Sequence, residues 1–324
     1  MKFWPLIKVL PVRTHFRFVR LARVFATLSV LAIAGSLFLT LYPFKPPCGG
    51  LACGIDFKGG TVMEISTAPA AIDTAKVHQA LAGMNLHETV QSAGARGSAM
   101  LRFEAPNGAD ISATVTHVQA RLTQTLGAVK FVSTDVVGPT VSTELLTSGL
   151  VGLGVAILAM LLYIWFRFEL QFGLGAVAAL FHDVILTFGL IALMRNRIEF
   201  DLKSVAAILT IIGYSMNDTV VVFDRFRENL RKYKTMPLGD VIDMSINEML
   251  TRTIITSMTA VLALVALAVF GGPTLYSLSV IMLFGIAIGT YSSIYIAAPV
   301  IMLWGVKRGG EDEVAEPLKP ATVR

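Results

Sequence analysis

Six stretches of the chain are apolar with almost no interruption, and the polar residues gather between them. They run over about Val24–Tyr42, Leu145–Phe166, Leu170–Met194, Ser204–Phe223, Thr253–Phe270 and Leu278–Val306. A helix needs roughly 20 residues to cross the hydrocarbon core of a bilayer, so each stretch predicts a membrane-spanning helix. The first is longer than the apolar segment of a signal peptide and shows no clear A-x-A cleavage site. It is read as a retained helix.

Residues 43–144, between the first and second runs, follow other periods. "TVMEIS" (61–66) reads as a strand. "AIDTAKVHQALAGM" (71–84) has Ile72, Ala75, Val77, Ala80, Leu81 and Met84 at helical spacing. "HETVQSA" (87–93) and "SAMLRFEA" (98–105) read as strands around a Gly-Ala-Arg-Gly turn. "DISATVTHVQARLTQTL" (110–126) is helical, with Ile111, Val115, Val118, Leu122 and Leu126 on one face and Gly127 as its stop. "AVKFVSTDVV" (128–137) is the last strand. The order β-α-β-β-α-β is that of a ferredoxin-like α+β unit, a form better suited to a binding platform than to an active site. The predicted fold is therefore an α-helical polytopic membrane protein with six transmembrane helices and one α+β ferredoxin-like extracytoplasmic domain between helices one and two.

Composition supports the membrane reading. Hydrophobic residues make up 54% of the 324 and charged residues 15%. The mean hydropathy is +0.68. A soluble domain carries about a quarter charged residues. The net charge of +5 sits in blocks beside the apolar runs, which argues against a nucleic-acid partner. Lys2, Lys8, Arg13, Arg17, Arg20 and Arg23 precede the first run with no acidic residue among them. They place residues 1–23 in the cytoplasm. Six crossings then return residues 307–324 to the same side, as a tail expected to be disordered. Arg225, Arg227, Arg231, Lys232 and Lys234 agree with that orientation; Arg195, Arg197 and Lys203, offset by Glu199 and Asp201, are a weaker conflict.

Cys48 and Cys53, the only cysteines, fall in the outer segment. That compartment is oxidising in bacteria, so a disulfide is open; a metal site lacks nearby ligands. His78, His87 and His117 read as surface histidines. No P-loop, GxGxxG, HExxH or Ser-His-Asp order is present, so ATP bound to this chain is not its energy source.

The chemistry lies in polar residues inside the spans. Asp218, in "GYSMNDTVVVFDRF" (213–226), sits about five residues from the end of the fourth run. An Asp at mid-helix costs about 2.5–3.5 kcal/mol on insertion scales, so it is a functional candidate by default. Its residue type suits a proton carrier; the bland alternative is a hydrogen-bonded Asp that holds helices together. Asn217 neighbours it, and Tyr214 lies one turn away on the same face. Arg252 opens the fifth run by this reading, at the level of Asp218, where a mobile cation would serve a proton switch. His182 and Asp183 lie mid-way along the third run, as either a relay or a hydrogen-bonded packing pair. Gly285 and Gly289 form GxxxG, and Gly149, Gly152 and Gly154 crowd the second run, both patterns of close helix packing.

Four blocks taken together resemble a known family: "GIDFKGGTVMEI" after helix one, "FHDVILTFG" in helix three, "GYSMNDTVVVFDRFRENLRK" leaving helix four, and "SINEMLTRTIITSMTA" opening helix five. They are similar to the SecF family of bacterial protein-export membrane subunits, related to SecD within the resistance-nodulation-division superfamily. The resemblance spans nearly the whole chain. It implies an inner-membrane subunit that pairs with SecD, joins the SecYEG channel with YajC, and uses the proton motive force to draw unfolded preproteins outward after SecA's ATP-driven pushing. Protons would be the coupling ion, with no other cofactor and no enzyme activity. By motif the family's transport carboxylate falls on Asp218 and its arginine on Arg252, a third charged residue coming from SecD. Asp56, Gly59 and Gly60 match the post-helix signature. The C-x4-C ahead of it is not part of the family pattern. Two other functions stand against this one: a proton-coupled small-molecule exporter of the same superfamily, for which the outer domain is small, and a scaffold that stabilises a channel without transport.

Overall fold

The computed structural model describes residues 14–44, 47–84, 86–92, 97–104 and 110–304. Lys2, Lys8 and Arg13 of the basic N-terminus, residues 93–96 of the Gly-Ala-Arg-Gly turn and the 307–324 tail lie outside the described residues. Six helices are long and apolar enough to cross a membrane. They are α1 (Phe18–Leu41), α5 (Pro139–Arg167), α6 (Leu170–Leu193), α7 (Leu202–Lys232), α8 (Leu238–Phe270) and a last span. The last span is α9 (Gly272–Ser292), a π-helical stretch Ser293–Ala297 and α10 (Ala298–Trp304).

Burial separates centre from rim. The most apolar stretch of α6 is 61% buried and that of α7 50%, against 6% for α1 and for α5 and 11% for α8. The last span joins α6 and α7 at the centre, where its glycines allow contact. A Cβ on Gly285 would overlap the Ile211 side chain, and one on Gly289 would lie 2.9 Å from Ser215 Cβ. By contrast, Gly152 and Gly154 on α5 have nothing within 4 Å, so only Gly149 of that trio packs, against Phe57. Leu150, Val155, Leu158 and Leu162 of α5 are exposed, as expected for a face toward lipid or another chain.

Helices run beyond their apolar stretches: α5 begins at Pro139 rather than Leu145 and α9 at Gly272 rather than Leu278. α1 begins at Phe18 rather than Val24, because α8 satisfies the backbone donors at its start: Asp243 Oδ1 accepts from Val19 N at 2.9 Å and Asn247 Oδ1 from Phe16 N at 2.9 Å. Arg20 and Arg23 thus belong to the helix. α7 continues past Phe223 to Lys232 and is tied down there by Asn229 Nδ2 donating to Ser245 Oγ (2.9 Å) and by the Arg225–Glu248 pair (2.7 Å). α8 starts at Leu238, not Thr253. Its first half is amphipathic, with Val241, Ile242, Ser245 and Ile246 buried at helical spacing and Asp240 and Glu248 exposed. A search for unbroken apolar runs passes over such a half-helix. Arg252 therefore lies well inside α8 rather than at its start.

The outer domain contains β1 (Gly60–Ser66), α3 (Thr74–Leu81), β2 (His87–Ser92), β3 (Ser98–Glu104), α4 (Ile111–Leu126) and β4 (Lys130–Val137). The four strands form an antiparallel sheet in the order β2-β3-β1-β4, which is the ferredoxin-like topology. α3 and α4 cover one face: Met63, Ile65, Leu101 and Phe103 meet Val77, Leu81, Val118 and Leu122 in a core of their own. Asp73 and Asp110 cap the two helices. His78 and His117 are exposed; the His87 side chain lies outside the described residues.

The other face of the sheet rests on the 194–201 loop between α6 and α7. Arg102 pairs with Glu199 at 2.9 Å. Below it a short helix α2 (Ile55–Lys58) sits at the domain's base, an element with no signal in the apolar pattern. The segment before it pairs with the same loop: Gly54 N donates to Phe200 O (2.9 Å), and Phe200 N to Ala52 O (2.7 Å). The Phe57 ring stacks at a tilt on Phe200, 5.1 Å between centroids. Cys48 and Cys53 form a disulfide that closes this segment, Cα atoms 5.8 Å apart.

Burial under the sheet raises the pKa of Glu199 above its ordinary 4.5, despite Arg102, and burial likewise raises Asp201 above 3.8 against the hydrogen bonds from Ser204. Their folded forms hold protons more tightly than the unfolded chain does. The stability they contribute is complete below pH 3.8–4.5 and is lost as the pH climbs through the raised values. Thermal unfolding of the purified chain should thus show midpoints that fall across that window, and Glu199→Gln with Asp201→Asn should flatten the fall; an unchanged slope in the double variant counts against these two acids.

Candidate functional site

The polar residues of the spans gather in two groups about the last span. Asp218, half-buried on α7, is held from two sides. Thr253 Oγ1 on α8 donates to its Oδ1 at 2.9 Å, and Ser293 Oγ donates to its Oδ2 at 2.9 Å. Both donors are single hydroxyls, so the carboxyl keeps capacity for a further partner. A cavity of about 60 Å³ opens beside it, lined by Tyr214, Asn217, Asp218, Val221, Arg252, Thr253 and Thr256. That volume has room for water among polar walls. Arg252, exposed on α8, lines this cavity and acts on Asp218 through space; the two form no ion pair among the described residues. Asn217 is exposed and turns toward a groove of about 520 Å³ between α5 and α7, where Ala156, Met160 and Gly213 also lie. It shares the cavity wall with Asp218 without bonding to it among the described residues.

Tyr214, one turn before Asp218, donates to Ser257 Oγ at 3.3 Å, and Ser257 bonds Thr290 Oγ1 at 3.1 Å. A line of hydroxyls thus joins α7, α8 and α9 on the domain side of the carboxylate. On the other side, Asp224 pairs with Arg167 at 2.8 Å and Arg227 with Glu169 at 3.3 Å, an outer rim of solvated pairs.

His182 and Asp183 form the second group, both nearly inaccessible. His182 Nδ1 lies 2.9 Å from Asp183 Oδ1. Ser215 Oγ donates to Asp183 Oδ2 at 2.5 Å and Ser292 Oγ to the same oxygen at 2.8 Å. The pair packs α6 against α7 and α9 and has no bond to Arg252 among the described residues.

Ser292 and Ser293 are the residues that reasoning from sequence missed. Consecutive residues of one helix, they reach the two different acids, Ser292 to Asp183 and Ser293 to Asp218. The π-helical turn that begins at Ser293 widens the helix there, and such turns recur at functional sites. "YSSIYIAAP" contains the only signal available, two adjacent hydroxyls in an apolar span.

The signature residues at the domain's base do something else. Asp56 Oδ2 accepts from Leu202 N, the first residue of α7, at 3.1 Å. Gly59 and Gly60 have φ of 83° and 125°, which side-chain-bearing residues rarely adopt, and a Cβ on Gly60 would lie 3.1 Å from Phe103 O. They turn the chain from α2 into β1. Among the described residues no three His, Cys, Asp or Glu side chains gather as metal ligands.

Comparison with known proteins places this geometry in context. Residues 117–307 match the family described as protein export membrane protein SecD/SecF, C-terminal, and residues 54–71 match the SecD/SecF GG motif. The chain is 43% identical over 315 residues to the protein translocase subunit SecF of Cereibacter sphaeroides, covering 94% of each chain. It is 37% identical over 311 residues to the same subunit of Rickettsia bellii, covering 95% of this chain and 99% of that one. Among solved structures it is similar to SecDF, a translocon-associated membrane protein from Thermus thermophilus, with a TM-score of 0.77 and 29% identity. A super-membrane-facing form of SecDF matches with a TM-score of 0.62. Each match covers 93% of this chain and 40% of the SecDF chain, so the chain spans well under half of those longer proteins.

The α7–α9 contact at Ser215 depends on Gly289. Gly289→Ala should destabilise the purified chain by about 1–3 kcal/mol, the usual cost of overpacking. Gly152→Ala, with open space around it, should be neutral or stabilising by up to about 1 kcal/mol. Equal effects of the two in thermal unfolding would refute the close-contact account.

Proposed function

Because the chain belongs to the SecD/SecF family of protein-export membrane proteins and matches its SecF members over nearly their whole length, we propose that it is the proton-driven SecF subunit of the Sec translocase in a bacterial inner membrane. In this reading it pairs with a separate SecD chain, as the share of the SecDF chain left uncovered suggests. The pair acts at the SecYEG channel and draws unfolded preproteins outward through movement of the extracytoplasmic domain, with both termini in the cytoplasm. Protons are the coupling ion.

The observation that carries the reading is Asp218: a carboxyl inside the bundle, held by two hydroxyls, facing a small polar cavity with Arg252 across it. Charged, it accepts from Thr253 and Ser293 and attracts Arg252. Protonated, it loses the attraction to Arg252 and can donate a hydrogen bond. Loading and unloading therefore changes what α7 prefers to contact on α8 and the last span. One charge crossing 100 mV gains about 2.3 kcal/mol, enough to shift a two-state balance by more than tenfold. His182 and Asp183 belong to the same proton-handling core.

α7 supports the link to the domain. It runs unbroken from Leu202 to Lys232, so Asp218 and the domain contact share one rigid element about 24 Å long between them. A tilt or shift of α7 acts on Asp56 through the Leu202 amide and on the sheet through Glu199.

The test is export into inverted membrane vesicles that contain the SecD partner. Asp218→Asn should abolish the part of export that depends on the proton motive force and spare the part driven by ATP. Arg252→Ala should do the same. A mere scaffold would keep full activity in both, and that outcome rejects the proposal.

A further inference from the structure

A hydrogen-bonded chain runs through the centre of the bundle, away from Asp218. Tyr291 OH donates to Phe25 O at 2.9 Å and lies 2.7 Å from Ser29 Oγ. Ser29 Oγ lies 3.2 Å from His182 Nε2, and His182 Nδ1 lies 2.9 Å from Asp183 Oδ1. Both oxygens of Asp183 are engaged, since Ser215 and Ser292 donate to Oδ2.

Counting hydrogens along this chain decides its state. The Phe25 carbonyl only accepts, so it takes the single hydrogen of Tyr291. Ser29 then gives its single hydrogen to the Tyr291 oxygen. His182 Nε2 must therefore be the donor to Ser29. A second hydrogen is needed between Nδ1 and Oδ1, on the ring or on the carboxyl. Every contact is filled only when the His182–Asp183 pair holds two hydrogens. A neutral imidazole beside an ionised carboxylate holds one, and one link of the chain is then empty.

Charge points the same way. With two hydrogens the pair is neutral overall; with one it is a buried anion. The side chains that face it are Ser29 from α1, Ser215 from α7, and Tyr291 and Ser292 from α9, none of them cationic. An uncompensated charge in such a place is costly.

We propose that the His182–Asp183 pair is a second proton-binding site, occupied in this conformation, and that the consecutive hydroxyls of Ser292 and Ser293 join it to Asp218. The second clause rests on Asp218 being a proton site; the first does not. Each hydroxyl has an alternative acceptor on its own helix: Gly289 O lies 3.1 Å from Ser292 Oγ, and Thr290 O lies 3.0 Å from Ser293 Oγ. When a proton reaches Asp218 Oδ2, the acid donates to Ser293 Oγ and Ser293 turns its hydrogen to Thr290 O. No polar atom is left without a partner, and the altered pull on the π turn reaches Ser292 and Asp183.

Nitrogen NMR of the full chain in lipid nanodiscs tests this, with His15, His78, His87 and His117 replaced by Gln so that all ring signals are those of His182. At pH 8, above the ordinary histidine value of about 6.5, Nε2 should carry a hydrogen, and a second should lie on Nδ1 or on the Asp183 carboxyl, read from the Nδ1 shift and from the carboxyl carbon of Asp183. A pair with a single hydrogen, on either ring nitrogen beside an ionised Asp183, overturns the second site. Adding Asp218→Asn should shift the His182 signals, and Ser292→Ala should remove that shift; an absent shift, or one that survives Ser292→Ala, overturns the bridge. Neither readout involves export. Failure here leaves the role of Asp218 in export standing, and failure of the export test leaves the occupied pair standing.

Discussion

A carboxyl group set among packed helices has little water to turn to and must find donors on the side chains that surround it. This constraint organises the bundle. Asp183 draws its donors from α6, α7 and α9, and Asp218 draws its own from α8 and the π turn. Each acid thereby fixes the rotation of the helices that serve it. Glycine makes the contacts possible: Gly289 lets Ser215 stand between α7 and α9, and Gly285 receives Ile211 one turn further along. The hydrogen bonds and the close packing depend on one another, because a hydroxyl reaches only as far as its backbone approaches.

The two acids differ in how completely they are satisfied. Asp183 is enclosed, with three side-chain partners, one of them a histidine whose far nitrogen is also engaged. Asp218 has two hydroxyl partners, an open cavity and a cation held off across it. The two acids are joined by adjacent residues, since Ser292 at the end of α9 donates to Asp183 and Ser293 at the start of the π turn donates to Asp218.

The bundle and the outer domain are joined at several points. The 194–201 loop provides several: the Phe200 backbone pairing, the amide of Leu202 on Asp56, and the Arg102–Glu199 pair beneath the sheet. The disulfide keeps the pairing segment compact at the point where α1 ends. Because the loop continues directly into α7, the helix that carries Asp218 also meets the domain's base, as α5 does through Gly149 and Phe57.

Much of this was legible in the chain itself. Apolar runs locate the spans because a bilayer demands length and hydrophobicity from local sequence. The alternating and helical periods of residues 61–137 yield the β-α-β-β-α-β order for the same reason, since each element buries one face. Asp218 stands out because its cost in the membrane is a property of the residue alone. What the sequence could not settle is who meets whom. The early start of α8, and with it the true place of Arg252, depends on burial of an amphipathic half-helix against other helices. The donors of Asp183 come from residues up to 109 positions away, and a serine in an apolar run looks the same whether it faces lipid or an acid. Propensity and periodicity act over one or two turns; the pairing of buried polar groups is decided by the approach of distant helices, and only the folded bundle sets that distance.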